Sequence, residues 1–410
     1  MMRTIPRVIA VLASSVIASS AADPVPSELL AKNSHVFSFD GGALSGPGWD
    51  VMKRETANSQ YVLLGEGHDD KLTPIFAESV YRTLHRTYGF DRVALEQDPV
   101  AMELACAPER RGDPKAVAAL AKRYPTLFEF ASDQDLTFIA NACAIGRAPN
   151  PVWGLEQALG SERYLEELEA LAPSPAVKAM VSSVLADVRL VEKTRKDYSK
   201  FLHDDPQTQA RLEALRSAFA AKPSSRAEFL LRGLVRSAEI FGYDRRAGQG
   251  EFVGLFNNTE REVEFKFQFR RQHGEAMKQG GPPKVLFKFG SWHMYRGRSP
   301  GTAFTIANHV HELAIFNGGD AYGILILPGE TNWADLEAWL KPILPEVKPA
   351  QPTLIDLRAL RGVQRLFRNL VEKADQGQIR DLMNAFDAIV ILPDGPPASW
   401  ALTGFPKLGG

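Results

Sequence analysis

Six short, mostly apolar runs separated by longer stretches of helical periodicity constrain this chain more than any other feature. They lie at Tyr61 to Gly65, Arg92 to Glu96, Val152 to Leu155, Val285 to Phe289, Gly323 to Leu327 and Ala388 to Leu392. Strand-like runs that alternate with helical patterns imply βαβ units, because parallel neighbours need a long crossover between them. The predicted fold is therefore α/β, a largely parallel central sheet flanked by helices. After the first run, Leu72, Phe76, Val80, Leu84 and Tyr88 recur every four residues, which puts one apolar stripe on a crossover helix.

One segment breaks the alternation. From Ser161 to Phe241 the chain is charged and strand-free, and Val177, Met180, Val181, Val184, Leu185, Val188 and Val191 fall on a sustained helical stripe. Pro173, Pro175, Pro206 and Pro223 divide it into several helices. The predicted organisation is a signal peptide over 1–22, an N-terminal extension over 23–57, an α/β core over 58–160 and 250–400, and an all-helical insertion over 161–249 that forms a cap.

The first residues predict export. Arg3 and Arg7 form a short basic region, Val8 to Ile17 is apolar, and Ser20-Ala21-Ala22 offers a small-residue cleavage site. No cysteine stands there for a lipid anchor, and no other stretch approaches the roughly 18 apolar residues of a membrane span. The expected location is periplasmic or secreted, with no membrane span after cleavage. In such a compartment Cys106 and Cys143 can pair, or each can be a buried thiol. Lys+Arg 48 against Asp+Glu 49 gives a net charge of −1, and no basic run supplies a phosphate footprint, so nucleic acid is not an expected partner. The expected partner is a small-molecule or peptide substrate.

The chemistry sits where the strands end. In open α/β sheets, ligands bind beyond the carboxyl ends of the strands. Tyr61 to Leu64 delivers Gly65-Glu66-Gly67-His68-Asp69-Asp70, Val93 to Leu95 delivers Glu96, Val152 to Leu155 delivers Glu156, and Val285 to Phe289 delivers Gly290-Ser291-Trp292-His293. Four strands thus aim two histidines and three glutamates at one rim. Glycines around Glu66 and His68 favour unusual backbone angles or close approach to a ligand. The spacing Gly-x-x-His occurs twice, Gly65 to His68 and Gly290 to His293, each directly after an apolar run.

These two motifs, with a carboxylate after an intervening strand, resemble the superfamily that joins the Tiki proteases, the TraB proteins, the ChaN haem-uptake lipoproteins and the erythromycin esterases. Leu64-Gly65-Glu66-Gly67-His68-Asp69, and Gly290 to His293 with the trailing Arg296-Gly297, look most like the ChaN branch. The long helical insertion and Asn257-Asn258-Thr259-Glu260-Arg261 look more like the erythromycin esterases. The chain has one residue fewer between Gly and His than those esterases, and lacks the lipoprotein cysteine of ChaN. The resemblance implies either hydrolysis at a His/Glu site or haem or metal binding without catalysis.

Two imidazoles with two or three carboxylates form a ligand set suited to Mn, Fe, Co or Zn. The predicted metal ligands are His68, His293, Glu66, Glu96 and Glu156, and a bound ion would acidify a water for attack on a carbonyl. The expected function is metal-assisted hydrolysis of an ester or peptide bond; a metal-free version is also physical, a Glu-oriented His activating water by itself. The predicted catalytic residues are Glu66, His68, Glu96, His293 and Arg261. Arg261, four residues after Asn257 on a predicted helix, can stabilise an oxyanion, or can be a surface arginine among Glu260, Glu262 and Glu264. Haem, the alternative cofactor, would use an axial His with Trp292 and Tyr295 as an apolar flank. His309 and His311 read as helix-surface histidines. Lys288, odd inside a buried strand, marks an edge or a site-facing position. Phe265, Phe267 and Phe269 read as core packing. Serine-hydrolase, P-loop and Rossmann signatures are absent from the sequence.

Overall fold

In the computed structural model of the chain, residues 27–197, 200–253, 256–301, 303–336, 340–361 and 376–405 are described. The predicted signal segment, 1–22, lies outside them. The strands, in chain order, are β1 (Ser34–Val36), β2 (Ser38–Phe39), β3 (Leu44–Ser45), β4 (Ser59–Glu66), β5 (Arg92–Leu95), β6 (Val152–Gly154), β7 (Val285–Gly290), β8 (Asp320–Leu327), β9 (Thr353–Asp356) and β10 (Ala388–Ile391). Strands β2 and β3 form a small hairpin. The other eight make one sheet in the order β1-β9-β10-β8-β4-β7-β5-β6.

From β10 to β6 every pair is parallel, and β9 alone runs against its neighbours β1 and β10. The sheet is thus α/β and largely parallel, as its alternating pattern predicts. Each of the six apolar runs forms a strand within three residues of its expected ends, while β1 and β9 were not anticipated. Through β1, which pairs with β9, the segment read as an N-terminal extension contributes an edge strand to the main sheet.

The central strands are buried on both faces, which is why they read as apolar throughout. Side chains alternate between two cores. Val62, Leu64, Val93 and Leu286 face the helices Leu72–Tyr88 and Asp133–Ile145, whereas Tyr61, Leu63, Phe287 and Phe289 face Phe256–Gly280 and Ile306–Phe316. Cys106 and Cys143 are joined by a disulfide with their Cα atoms 5.1 Å apart, tying the end of helix Pro99–Ala105 to helix Asp133–Ile145. Closing a loop of 37 residues contributes about 3–4 kcal/mol on the chain-entropy account.

Between β6 and β7 run the helices Glu162–Ala170, Pro175–Val191, Lys200–Asp204, Thr208–Phe219 and Arg226–Gly248, with no strand among the described residues. Val177, Val181, Val184, Leu185 and Val188 bury the predicted stripe, and Met180 at its edge stays exposed. The long helix Arg226–Gly248 is fixed to the loop after β6 where the Ser237 hydroxyl donates to the Ala158 carbonyl. Helix Phe256–Gly280 then returns the chain to the sheet.

Candidate active site

Sheet order decides which strand ends can meet. Strands β4, β7, β5 and β6 are consecutive and parallel, so their carboxyl ends deliver Glu66, Gly290, Glu96 and Glu156 along one edge. Neighbouring strands lie about 4.8 Å apart, within reach of one another's side chains.

Glu96 is the centre. Its Oε2 accepts the Gly290 backbone N–H at 2.7 Å and lies 3.9 Å from His68 Nε2. Its Oε1 accepts from Arg261 Nη2 at 2.9 Å and lies 3.3 Å from His293 Nε2. Both predicted histidines therefore face one carboxylate although 225 positions separate them in sequence. Arg261 also clamps Glu156, donating from Nε at 3.2 Å and again from Nη2. It belongs to the site, not to the surface. The amide that reaches it is Asn258, whose Oδ1 lies 3.4 Å from Nη1, rather than Asn257.

Residues beside these complete the constellation. His293 Nδ1 lies 2.7 Å from Glu262 Oε1, and the other Glu262 oxygen caps helix Ile306–Phe316 by accepting the Ile306 N–H. Lys288, on the same sheet face as Glu66 by strand alternation, donates to Glu66 Oε1 at 2.7 Å and to Asp135 Oδ1 at 3.1 Å. Lys288 is thus the site-facing position, in the middle of the sheet. His68 stacks on Phe130, ring centroids 4.1 Å apart, with its Nδ1 3.4 Å from Glu66 Oε1.

Glu262, Asp135 and Phe130 were not anticipated. Glu262 looks like part of a solvent-facing acidic stripe with Glu260 and Glu264, yet Glu262 and Glu264 are both buried. Asp135 stands in the acidic first turn of a helix, where it reads as a terminus signal.

The glycines act through space, not through unusual angles. Neither Gly65 nor Gly67 has a left-handed backbone; the residue that does is Asp69, at φ 62°. A Cβ on Gly65 would meet Met294 and Phe386 at 3.0 and 3.1 Å. Asp70 is structural, accepting from Thr73 N and from Gly329 N. His311 is buried rather than on the helix surface, and burial followed by the nearby Arg296 charge pulls its pKa down to about 3. Phe265 and Phe269 pack in the core as expected, Phe265 edge-on to His293 at 4.9 Å.

The electrostatics separate the two histidines. Burial works against a charge on His293, but the Glu96 charge and the hydrogen bonds to Glu262 and Glu96 prevail, raising its pKa to about 9. It is an imidazolium at neutral pH. His68 is also raised above 6.5, since Glu66 and Glu96 outweigh its desolvation, and its side chain remains 35% exposed. Burial opposes ionisation of Glu96, yet the charges of His293, His68 and Arg261 hold it well below the ordinary carboxylate range. Lys288 and Arg261 keep their charges despite burial because two carboxylates face each.

This arrangement does not fit the predicted metal. Among the described residues no three His, Cys, Asp or Glu side chains are grouped to hold an ion. The carboxylates of Glu96 and Glu156 are engaged by Arg261, that of Glu66 by Lys288, and both nitrogens of His293 face carboxylates. A metal would have to displace fixed cations from its own ligands. Haem fits no better at His293, since neither ring nitrogen is open and Tyr295 is packed against Phe386.

No protein-family model and no curated protein matches this chain in sequence. Solved structures do match it in fold. A mutant of an erythromycin esterase, EreC, in its open conformation aligns at a TM-score of 0.55 and 13% identity, over 86% of this chain and 95% of that one. A Bacillus cereus protein aligns at 0.55 and 15%, over 91% and 98%, and a succinoglycan biosynthesis protein at 0.55 and 13%, over 92% and 98%. The chain shares its α/β fold with these three structures, one of them an erythromycin esterase.

Proposed function

We propose that this chain is a hydrolase that attacks a carbonyl, most directly that of an ester, through a His/Glu site without a metal. The observation that carries the reading is the contrast between the histidines. His293 is buried, charged and held at both nitrogens, whereas His68 is partly open to solvent, fixed by Phe130 and Glu66, and has Nε2 facing the rim near Glu96. A general base needs a positioned lone pair within reach of water. His68 supplies it.

In the proposed step a water gives its proton to His68 Nε2 as its oxygen bonds to the carbonyl carbon. The carbonyl electron pair moves onto oxygen, where Arg261 Nη1, whose recorded partner is the long contact to Asn258, donates to it. Collapse of the tetrahedral species expels the alcohol, which takes the proton back from His68. Glu96 fixes Arg261 and His293 together, and Lys288 holds the Glu66 carboxylate where it orients His68.

Two features support export as part of this proposal: the Arg3/Arg7 and Val8 to Ile17 pattern of the sequence, and the Cys106–Cys143 bridge, since disulfides persist in oxidising compartments. The fold likeness to EreC supports an ester as the first substrate class to test. A panel of 4-nitrophenyl esters and the matching anilides, assayed in the presence of a chelator, tests the reading. Turnover of esters that persists in chelator is the expected result; activity that vanishes with chelator and returns with a metal would overturn the metal-free mechanism.

A further inference from the structure

The cap holds a cavity of about 1030 Å³, away from the strand ends, between helices Thr208–Phe219, Arg226–Gly248 and Phe256–Gly280. Five arginines and three glutamates line it. Arg216 and Glu228 neutralise each other at 2.6 Å, and Lys278 from outside the lining neutralises Glu275 at 2.7 Å, which leaves four arginines against Glu213.

Two aromatic rings in this wall are each flanked by two guanidinium groups. Arg226 and Arg271 lie 5.1 and 4.4 Å from the Phe229 centroid, and Arg232 and Arg270 lie 3.3 and 5.6 Å from that of Phe267. Not all four cations are satisfied within the protein. Arg232 makes a two-pronged pair with Glu264, and Arg226 is paired with Glu167 and Glu103. Arg270 pairs with no carboxylate among the described residues. Arg271 reaches Glu103 only at 3.8 Å, and its buried Nη2 has no hydrogen-bond partner. An unsatisfied buried guanidinium donor is costly and calls for an acceptor.

We propose that this cavity is a second binding site, for an organic anion that carries a phosphate or carboxylate on a flat ring. The anion would pair with the exposed Arg270 guanidinium and draw in that of Arg271, whose Nη2 is without a hydrogen-bond partner; guanidinium groups match oxyanions bidentately. The ring would lie against the guanidinium planes and the phenylalanine faces. The volume is at the upper end of ligand pockets. Residues 267, 270 and 271 follow Arg261 and Glu262 along the same helix, and none of the carboxylate cluster lines the cavity, so the site is separate and does not depend on the proposed hydrolysis.

The test is isothermal titration of the full chain with phenyl phosphate, with phenol and inorganic phosphate as partial probes. One phenyl phosphate should bind per chain, more tightly than either partial probe, and binding should weaken with salt. Arg270→Ala, an exposed residue without a carboxylate partner, and Arg271→Gln should each weaken it by about tenfold or more, while Arg271→Lys restores part of the loss. Glu213→Gln, at the cavity wall, should tighten it. Absence of binding, equal affinity for phenol, or an affinity indifferent to Arg270→Ala would overturn the proposal.

Discussion

His68 and His293 differ in charge state because they differ in what surrounds them, and that difference sets a pH window. His68 must be neutral to accept a proton, and its pKa lies above 6.5 because Glu66 and Glu96 favour the imidazolium more than burial disfavours it. Activity therefore rises as pH climbs through that value. His293 stays charged up to about 9, above which Glu96 loses a neighbouring cation and activity falls. The kcat/KM profile for ester hydrolysis should be bell-shaped. Glu96→Gln, which removes a charge that raises both histidines, should move both limbs to lower pH; limbs that stay in place would contradict the assignment. The same sign holds for stability: the His293 contribution is fully present below 6.5 and is lost as pH rises through about 9. Lys288 acts differently, as a buried cation between two buried acids. Lys288→Met leaves Glu66 and Asp135 facing each other unpaired and should cost about 3–5 kcal/mol in urea unfolding. A loss under about 1 kcal/mol, the value of an exposed pair, would show that the pair is not held as described.

At the scale of single elements, the end of β7 is where the site itself is tightly packed. Gly290 donates its N–H to Glu96, and a Cβ there would stand 2.8 Å from His68 Nε2 and 3.3 Å from Glu96 Oε2. Its φ of −51° suits any residue, so Gly290→Ala should fold and push chiefly the His68 ring, with a smaller shift of Glu96. Since small misplacements of a catalytic group cost about 10²-fold, kcat/KM should fall by that order with the unfolding temperature little changed; unaltered kinetics would place the reacting water elsewhere. The strand ends were legible because long crossovers force parallel strands to share an edge, and four of the six apolar runs stop at a Glu or at a Gly-x-x-His. What was hidden had no such signal. Strand β9, Thr353–Asp356, has only Leu354 and Ile355 as apolar residues between polar ends, and β1, Ser34–Val36, only Val36, so neither reads as an apolar run. Glu262 and Glu264 lie on a helix that is charged on several faces because it is sandwiched between the sheet, the cap and Arg232, and buried ion pairs there look in sequence like solvent. The metal reading failed to fit for a related reason: residue types gave a ligand set, but Arg261 and Lys288, far away in sequence, occupy its acceptors.

Across the whole molecule, the sheet order places β4, β7, β5 and β6 side by side, the cap leaves the strand bearing Glu156, and Arg261 arrives from the helix that returns from the cap. The site is assembled from both halves of the chain, so His68, just after β4, is useful only if the second half packs against it. The central claim is that His68 is the base of a hydrolytic site that needs no metal. Its most direct measurement is the hydrolysis rate of 4-nitrophenyl acetate by metal-stripped protein and by metal-stripped His68→Asn, both verified by elemental analysis. The account predicts turnover by the former and a loss of about 10²–10⁴-fold, the usual value of a general base, in the latter. Equal rates for the two proteins, or no turnover until a metal is restored, would contradict it.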